Sequence, residues 1–186
     1  DWNESARELI ARVQSVAIWH PNQGWPTWSE ESLCASAADW LTPYLMGITK
    51  NEELKKLNLS QYLLHSLKFE QQQNLERIAP RNLKVPSGSE VLIHYQEDGS
   101  APRLSVRLQE LFGLLETPKV NEGRVPILIE LLSPGYKPVQ LTQDLKSFWS
   151  LGYFEVKKEL KQRYPKHSWP DNPIQATATR GVKKRE

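Results

Sequence analysis

The chain has 186 residues, of which 39 % are apolar and 25 % are charged, with a formal net charge of +2 and a single cysteine. This length can form one large or two small domains around a buried core, and one cysteine excludes an intrachain disulfide. No run approaches the ~18 apolar residues of a membrane-spanning helix, and no signal peptide opens the chain. We therefore expect a cytoplasmic protein that makes no membrane contact.

Charge and proline content both change near Pro80. Residues 1–79 carry 7 basic and 10 acidic side chains, whereas the rest of the chain carries 17 and 12. Ten of the 13 prolines also lie in this second part. We therefore predict a helical unit over 1–79, an α+β domain over 80–174, and a polar, basic tail over 175–186 that is disordered.

Residues 1–79 are predicted to form four or five helices. Apolar residues at helical spacing predict a helix over Glu4–Trp19. Ser29, followed by two glutamates, predicts the N-cap of a second helix that ends before Pro43. Asn51 and Ser60 are expected to cap two further helices, and a last helix is expected to begin at Phe69.

The second part opens with three short strand patterns, over 82–86, 91–96 and 104–106. Asp98 and Gly99 lie between the last two patterns and form a strong hairpin signal. We therefore predict that the strands over 91–96 and 104–106 pair with each other in antiparallel fashion.

A second hairpin is predicted farther along the chain. The nearly unbroken apolar run over 125–132 predicts a strand that is buried on both faces. Two prolines and a glycine require a turn at 133–138, after which Val139 and Leu141 alternate with polar residues as in a half-buried strand. Because an isolated hairpin is only marginally stable, helices must cover it. Their predicted positions are a segment capped by Thr142 and ended by Gly152, and the segment Tyr153–Arg163.

Together these patterns predict an α+β fold. An N-terminal helical unit is followed by a small, largely antiparallel sheet that two or three helices cover. The signatures of common enzymes are absent, because the sequence has no glycine-rich phosphate loop and its four histidines lack metal-ligand spacing. Cys34 lies in an alanine-rich helix pattern that is typical of a small buried side chain. We therefore predict no catalytic residue, no metal site and no cofactor in this chain.

Residues 163–173 place cations beside aromatic rings on a proline-stiffened segment. Such a pattern suits single-stranded RNA or DNA, because cations attract phosphate and flat rings stack on bases. The alternative is that both rings pack onto the core and the prolines fix the path of the chain. The candidate binding residues in this segment are Arg163, Tyr164, Lys166, His167 and Trp169.

Arginines earlier in the chain could form one basic rim. Arg107 and Arg124 are the candidates for nucleic-acid or partner binding, and Arg103 lies close to the first of them in sequence. The alternative is that these arginines form ion pairs with Glu110, Glu122 or Glu130. The cations of the tail, which offer nonspecific attraction to phosphate, are Arg180, Lys183, Lys184 and Arg185.

Six ordered stretches carry a family resemblance. They are VPSGS at 85–89, VRLQELFG at 106–113, GRVP at 123–126, LLSP at 131–134, TQDL at 142–145 with FW at 148–149, and RYPKH at 163–167 with WPD at 169–171. In this order they resemble the C-terminal region of the bacterial DEAH-box ATP-dependent helicases of the HrpB family. The helical part is similar as well, and the resemblance extends over nearly the whole chain.

The resemblance implies a longer parent protein with tandem RecA-like motor domains, winged-helix and helical-bundle modules and an OB-like fold upstream of this region. This chain has no Walker lysine, no DEAH box and no arginine-finger motif. We therefore expect a non-enzymatic accessory part of an NTP-hydrolysing helicase, whose ATP and Mg²⁺ sites lie in the motor. The resemblance supplies no catalytic residue for this region, so none is carried over.

Two functions compete on this basis. In the first, the chain adds contacts to single-stranded RNA or DNA for the motor, as the basic segment after residue 150 indicates. In the second, it is a structural or protein-docking module that packs on the helicase core of the same polypeptide or recruits a protein partner. The acidic, tryptophan-rich residues 1–79 favour the second function.

Overall fold

The computed structural model describes residues 2–182, which divide into two units. One unit contains the chain up to Ala79 together with Tyr95–Ser100, and the other contains Pro80–His94 and the chain from Ala101 onward. The segment 95–100, which the sequence places in the second domain, thus belongs to the first unit. No helix within residues 2–182 is long and apolar enough to cross a membrane.

The first unit is built around helix α1, Glu4–Trp19, whose bounds match the prediction. Asn3 caps the helix by accepting a hydrogen bond from the Ala6 amide at 2.9 Å. Leu9 and Val13 on its apolar face are buried. The other elements of this unit are α2 (Glu30–Ala35), α3 (Ala37–Trp40), a 3₁₀ turn (Thr42–Tyr44), α4 (Asn51–Leu54), α5 (Leu59–Ser66) and α6 (Phe69–Ile78).

Helix caps in this unit follow the prediction only in part. Ser29 caps α2 and exchanges hydrogen bonds with Ser32, as predicted. The cap of α5 is Asn58 rather than Ser60, because the Asn58 side chain accepts a hydrogen bond from the Gln61 amide and the helix begins earlier than expected. The prediction that Cys34 is buried was wrong, since its side chain is exposed.

The loop 95–100 is fixed to α1 by long-range hydrogen bonds. The Ser15 hydroxyl donates to the Gln96 carbonyl at 2.7 Å, and the Trp19 indole N–H donates to the Gly99 carbonyl at 2.8 Å. The predicted strand over 91–96 therefore ends early, because its second half leaves the sheet to pack on α1. The observed strand β2 is Glu90–Leu92, and it pairs in antiparallel fashion with β1, Asn82–Lys84.

Between residues 101 and 182 the second unit contains five further strands. They are β3 (Arg103–Arg107), β4 (Lys119–Val120), β5 (Val125–Pro126), β6 (Leu128–Leu132) and β7 (Pro138–Thr142). The largest sheet has the order β3-β6-β7, and β4 pairs with β5 in antiparallel fashion. Between β6 and β7 the pairing is antiparallel, as the predicted hairpin requires. The α+β fold class is confirmed, with small sheets whose pairings are mostly antiparallel.

The partner of β3 differs from the prediction. Only one isolated antiparallel bridge, between His94 and Arg103, remains of the expected hairpin. Strand β3 instead pairs in parallel fashion with β6, so that Leu104 lies opposite Ile129. Both of these side chains are fully buried. This parallel pairing buries the apolar face of β3 more completely than a two-stranded ribbon could.

Strand β6 occupies the centre of this sheet, but it is not buried on both faces as predicted. Ile129 and Leu131 are fully buried, whereas Leu128 and Glu130 are half-buried. Strand β6 is apolar because it lies between strands β3 and β7, and not because other elements cover both of its faces. The pairing of β6 with β7 shifts between Leu131 and Leu132, which lie opposite Gln140 and Pro138. Leu141 of β7 is exposed, although the sequence had placed it inward.

The covering helices form one continuous segment. Helix α7, Leu145–Ser147, runs through a π-helical turn, Phe148–Gly152, into α8, Tyr153–Arg163. Asp144, rather than Thr142, caps α7 by accepting a hydrogen bond from the Ser147 amide at 2.9 Å. Gly152 does not end a helix, because its φ of −72° lies in the helical region. Trp149 and Tyr153 are buried below this segment and pack against Phe112.

The described part of the predicted tail lies against the second unit. The Thr179 amide donates to the Gln109 carbonyl at 3.0 Å, and Arg180 Nε donates to the Ser87 carbonyl at 3.1 Å. Residues 175–182 therefore differ from the expected disorder. The cations Lys183, Lys184 and Arg185 lie outside the described residues.

Candidate nucleic-acid interface

The turn between β6 and β7 presents an exposed tyrosine. Tyr136 is 65 % exposed and has a φ of 61°, in the left-handed region. The Tyr136 amide donates to the Ser133 carbonyl at 2.9 Å, and the Ser133 amide donates to the Lys137 carbonyl at 2.8 Å. An L-residue pays about 1–2 kcal/mol for this conformation. Such strain is typical of functional sites, where the surroundings hold a residue in place.

A cation lies beneath the Tyr136 ring. The guanidinium carbon of Arg107 is 4.9 Å from the ring centroid, within the range of a cation–π contact. The Arg107 side chain is only 16 % exposed, and its Nε donates to Glu110 Oε1 at 2.9 Å. One face of the ring is therefore supported by a charged, mostly buried group, while much of the side chain still faces solvent.

Glu110 fixes the orientation of Arg107. The second carboxylate oxygen of Glu110 accepts hydrogen bonds from the hydroxyls of Ser87 and Ser89. Burial by itself would raise the pKa of Glu110, but these hydroxyls and the Arg107 guanidinium together hold the pKa below its ordinary value. The carboxylate is thus charged at neutral pH, and it positions the guanidinium under the ring.

Two of the predicted residues close the other side of the turn. An ideal Cβ on Gly135 would lie 2.6 Å from the Tyr164 hydroxyl, so the Tyr164 ring ends against the turn backbone. The rings of Tyr164 and His167 meet edge to face with centroids 6.1 Å apart. Burial, and then the positive charge of Arg107, lower the pKa of His167, which is therefore mostly neutral at pH 7.

The structure thus brings three predicted residues, Arg107, Tyr164 and His167, to the turn that carries Tyr136. Tyr136 and its neighbour Lys137 were missed by sequence reasoning. An aromatic residue between a glycine and a lysine, inside a segment already predicted to turn, was the available signal. We call Arg107, Tyr136, Lys137, Tyr164 and His167 together the Tyr136 surface.

Trp169 is not part of this exposed surface. Its side chain is 8 % exposed, and its indole N–H donates to the Tyr164 carbonyl at 2.8 Å. The packing alternative therefore describes Trp169. Through this bond the buried indole supports the backbone that carries Tyr164.

The remaining predicted cations are exposed and mostly ion-paired. Arg124 Nη2 lies 3.5 Å from Glu122 Oε2, and Arg163 Nη2 lies 3.8 Å from Glu159 Oε1. Lys166 is exposed on the segment that leads to His167. Exposed pairs of this kind contribute little to stability, so these cations remain available to an approaching polyanion. Within residues 2–182, no group of three or more histidine, cysteine, aspartate or glutamate side chains could hold a metal ion.

The helical unit has a separate aromatic pocket of about 350 Å³. The rings of Tyr44 and Tyr62 stack with centroids 3.7 Å apart and an interplanar angle of 9°. The Tyr44 hydroxyl lies 3.2 Å from His65 Nδ1. The other residues that line the pocket are Asp39, Trp40, Pro43 and Ser66.

The described residues thus form a two-part α+β protein, in which a helical unit is followed by small sheets and an exposed aromatic turn with a cation beneath it. Residues 40–173 match the family described as ATP-dependent helicase C-terminal, and the chain belongs to this family. This finding confirms the resemblance that the six sequence stretches indicated.

The chain is 43 % identical over 184 residues to the ATP-dependent RNA helicase HrpB of Escherichia coli K12, a match that covers 99 % of this chain and 23 % of that protein. Two crystal structures have similar folds. The E. coli DExH-box NTPase HrpB superposes with a TM-score of 0.87 at 43 % identity, over 97 % of this chain and 22 % of that one. The E. coli DEAH/RHA helicase HrpB has a TM-score of 0.73 at 41 % identity, over 91 % and 21 %. The chain thus spans less than a quarter of the length of these relatives.

Proposed function

We propose that this chain is a non-catalytic accessory domain of an ATP-dependent RNA helicase and that it binds single-stranded nucleic acid through the Tyr136 surface. The observation that carries the proposal is the strained, exposed Tyr136 ring with Arg107 4.9 Å beneath it. The name of the E. coli relative, an ATP-dependent RNA helicase, favours RNA as the ligand. ATP and Mg²⁺ act in the motor part of the longer protein, which is also the intramolecular partner of this domain.

An exposed ring selects for a single strand. A base stacks on an aromatic side chain only when it is not already stacked in a duplex, and such stacking tolerates any base. The nearby exposed cations, Lys137 and Lys166, supply attraction to the phosphates without sequence preference. The domain therefore holds the strand on which the motor acts, without reading its sequence.

Fluorescence anisotropy with a labelled oligouridine and oligodeoxythymidine tests this function. We expect salt-sensitive binding by the 186-residue chain, and a loss of about 5- to 100-fold in affinity for Tyr136→Ala, since one base–aromatic stack contributes about 1–3 kcal/mol. Phe69→Ala is the matched control, because Phe69 is an exposed aromatic residue of the helical unit, at 76 % exposure. An absence of binding at low salt, or equal losses in both variants, contradicts the proposal.

The aromatic pocket of the helical unit favours a second candidate function, protein docking. The stacked rings of Tyr44 and Tyr62 form a rigid apolar wall, which is a common feature of protein interfaces. In this case the chain packs on the helicase core or recruits a protein partner. Co-purification with a separately expressed helicase core measures this association. Tyr62→Ala should weaken it while leaving RNA binding unchanged.

A further inference from the structure

Arg107 has hydrogen-bonding capacity that the described residues leave unused. A guanidinium carries five N–H donors, and the structure assigns only the Nε donor, to Glu110 Oε1 at 2.9 Å. Among residues 2–182, the two terminal nitrogens of Arg107 donate to no acceptor. The side chain is 16 % exposed, and its terminal nitrogens are not among the buried polar atoms without a partner, so they can be reached from solvent by an incoming anion.

Glu110 is unable to take up these donors. One of its carboxylate oxygens accepts from Arg107 Nε, and the other accepts from the hydroxyls of Ser87 and Ser89. The carboxylate therefore orients the guanidinium without using its outer edge. Because Glu110 offsets the charge of Arg107, the net positive charge of the site comes from Lys137, which follows Tyr136 in the turn and is exposed.

The Tyr136 ring provides the second half of a nucleotide site. Its exposed fraction of 65 % leaves the face opposite Arg107 open to a flat ligand. A base and a phosphate are the two parts of a nucleotide, and the ring and the guanidinium are the two groups that bind them best. Their contact at 4.9 Å places both groups within the reach of a single nucleotide.

We infer that the Tyr136 surface is a one-nucleotide site, in which the base stacks on the outer face of Tyr136 and its phosphate binds the terminal nitrogens of Arg107. This inference rests on the proposed function and names its ligand, a nucleoside monophosphate unit. The site depends on the phosphate and tolerates any base, because stacking on a ring uses the flat face that every base has. Tyr164, whose hydroxyl end meets Gly135, positions the turn and does not stack on the base.

A titration of the 186-residue chain by NMR tests the inference, with adenosine 5′-monophosphate, uridine 5′-monophosphate, adenosine and inorganic phosphate as probes. The signals to follow are the Tyr136 ring and the Arg107 Nε–H. We expect both nucleotides to shift both signals with affinities within a few-fold of each other. Adenosine should bind about tenfold more weakly than its monophosphate, as the loss of a charge-assisted hydrogen bond predicts. Inorganic phosphate should shift Arg107 alone.

Arg107→Lys keeps the charge and removes the planar donors, so the preference for adenosine monophosphate over adenosine should fall to about threefold or less. Arg103→Lys is the matched control, because Arg103 lies on the same strand and is also beside a glutamate, Glu130, at 3.7 Å. Tyr136→Ala, at an exposed position that does not threaten folding, should lower the affinity of the nucleotide, read from the Arg107 shift, to that of inorganic phosphate, whose own affinity should not change.

Failure of this inference is distinguishable from failure of the proposed function. If oligouridine binds and requires Tyr136, but adenosine and its monophosphate bind equally well, the one-nucleotide site is wrong and the accessory function stands. The one-nucleotide site is equally wrong if the monophosphate leaves the Arg107 signal unmoved. If the monophosphate binds as described while oligouridine does not bind at all, the site stands and the single-strand function is wrong.

Discussion

Gly135 and Tyr164 lie so close together that any Cβ at position 135 would push against the tyrosine hydroxyl. An ideal Cβ on Gly135 would be 2.6 Å from that oxygen and 3.3 Å from the ring carbon that bears it. The two residues are 29 positions apart in sequence. This contact joins the turn that carries Tyr136 to the segment that carries His167, and it makes one surface out of two separate parts of the chain.

Gly135→Ala should therefore displace the Tyr164 ring. Because the clash involves the far end of a side chain, we expect a modest loss of about 1 kcal/mol in the free energy of unfolding, together with weaker RNA binding. Gly181→Ala is the control, since Gly181 has no atom within 4 Å of an ideal Cβ. Urea denaturation and anisotropy measure the two effects. If both alanine variants behave alike, the turn and Tyr164 are not in contact in solution.

Trp169→Phe should distinguish the structural role of the buried Trp169 from the binding role proposed for the exposed Tyr136. The change removes the hydrogen bond from the indole N–H to the Tyr164 carbonyl and leaves unfilled volume at a site that is 8 % exposed. We expect a loss of about 1–3 kcal/mol in the free energy of unfolding, with RNA affinity changed by less than about twofold. A large loss of RNA affinity in a folded Trp169→Phe variant would mean that the indole contacts the ligand.

The backbone conformation of Tyr136 should lower the stability of the chain, whereas its ring should contribute to RNA binding. At a φ of 61°, glycine is free of the steric penalty that alanine pays, so we expect Tyr136→Gly to be more stable than Tyr136→Ala by up to about 1 kcal/mol. Both variants lack the ring and should bind RNA equally weakly. Thermal denaturation of the two variants isolates the backbone contribution. An alanine variant at least as stable as the glycine variant would show that residue 136 leaves the left-handed region.

These contacts show which parts of the fold the sequence could predict. Helix α1 was predicted to the residue because its apolar spacing continues for four turns and its limits are local. The turn at 133–138 followed from its prolines and glycine. The partner of β3 did not follow, because Asp98 and Gly99 signal a hairpin that α1 prevents by binding the loop through Ser15 and Trp19.

The site was predictable to a smaller degree. Arg107, Tyr164 and His167 were chosen for their chemistry, but their meeting point depends on the parallel pairing of β3 with β6 and on the path after α8. Tyr136 was missed because the left-handed residue in a turn is usually glycine, and here a neighbouring tyrosine adopts that conformation. Residues 175–182 make contacts through the Thr179 amide and the Arg180 guanidinium with distant backbone carbonyls, which a local sequence pattern does not reveal.

Because of Glu110, the free energy of unfolding should decrease at acid pH. Its pKa is lowered in the folded state from the ordinary value of 4.5, so its contribution to stability is fully present above that value and is lost as the pH falls through the folded pKa. Glu110→Gln should cost about 1–3 kcal/mol at pH 7, because Arg107 and the two serines lose a charged acceptor.

The difference between Glu110→Gln and the unchanged chain should shrink below about pH 4.5, where the carboxyl of the unfolded chain also becomes protonated. Urea denaturation between about pH 3 and pH 7 provides the comparison. Glu159→Gln is the matched control: Glu159 forms an exposed pair with Arg163, and its loss should cost less than about 0.5 kcal/mol. A pH-independent cost for Glu110→Gln would show that the carboxylate is not held in its charged form.

Gly99→Ala should break the attachment of the loop 95–100 to α1. The φ of Gly99 is +71°, and an ideal Cβ there would lie 2.8 Å from Cγ2 and 3.1 Å from Cβ of Ile18. The Cβ of Ile18 is bonded to the backbone of α1, so a change of rotamer does not move it away. We expect a loss of about 2–4 kcal/mol in the free energy of unfolding, which combines the backbone penalty with overpacking.

Gly24→Ala separates these two causes, because Gly24 has a similar φ of +65° but no atom within 4 Å of an ideal Cβ. The control should lose about 1–2 kcal/mol from the backbone penalty alone. Adding Ile18→Ala to Gly99→Ala removes the Cγ2 contact and should recover part of the loss, whereas Ile18→Ala should not rescue Gly24→Ala. Equal losses at both glycines, with no rescue, would show that the loop does not pack on Ile18, and that the early end of β2 has another cause.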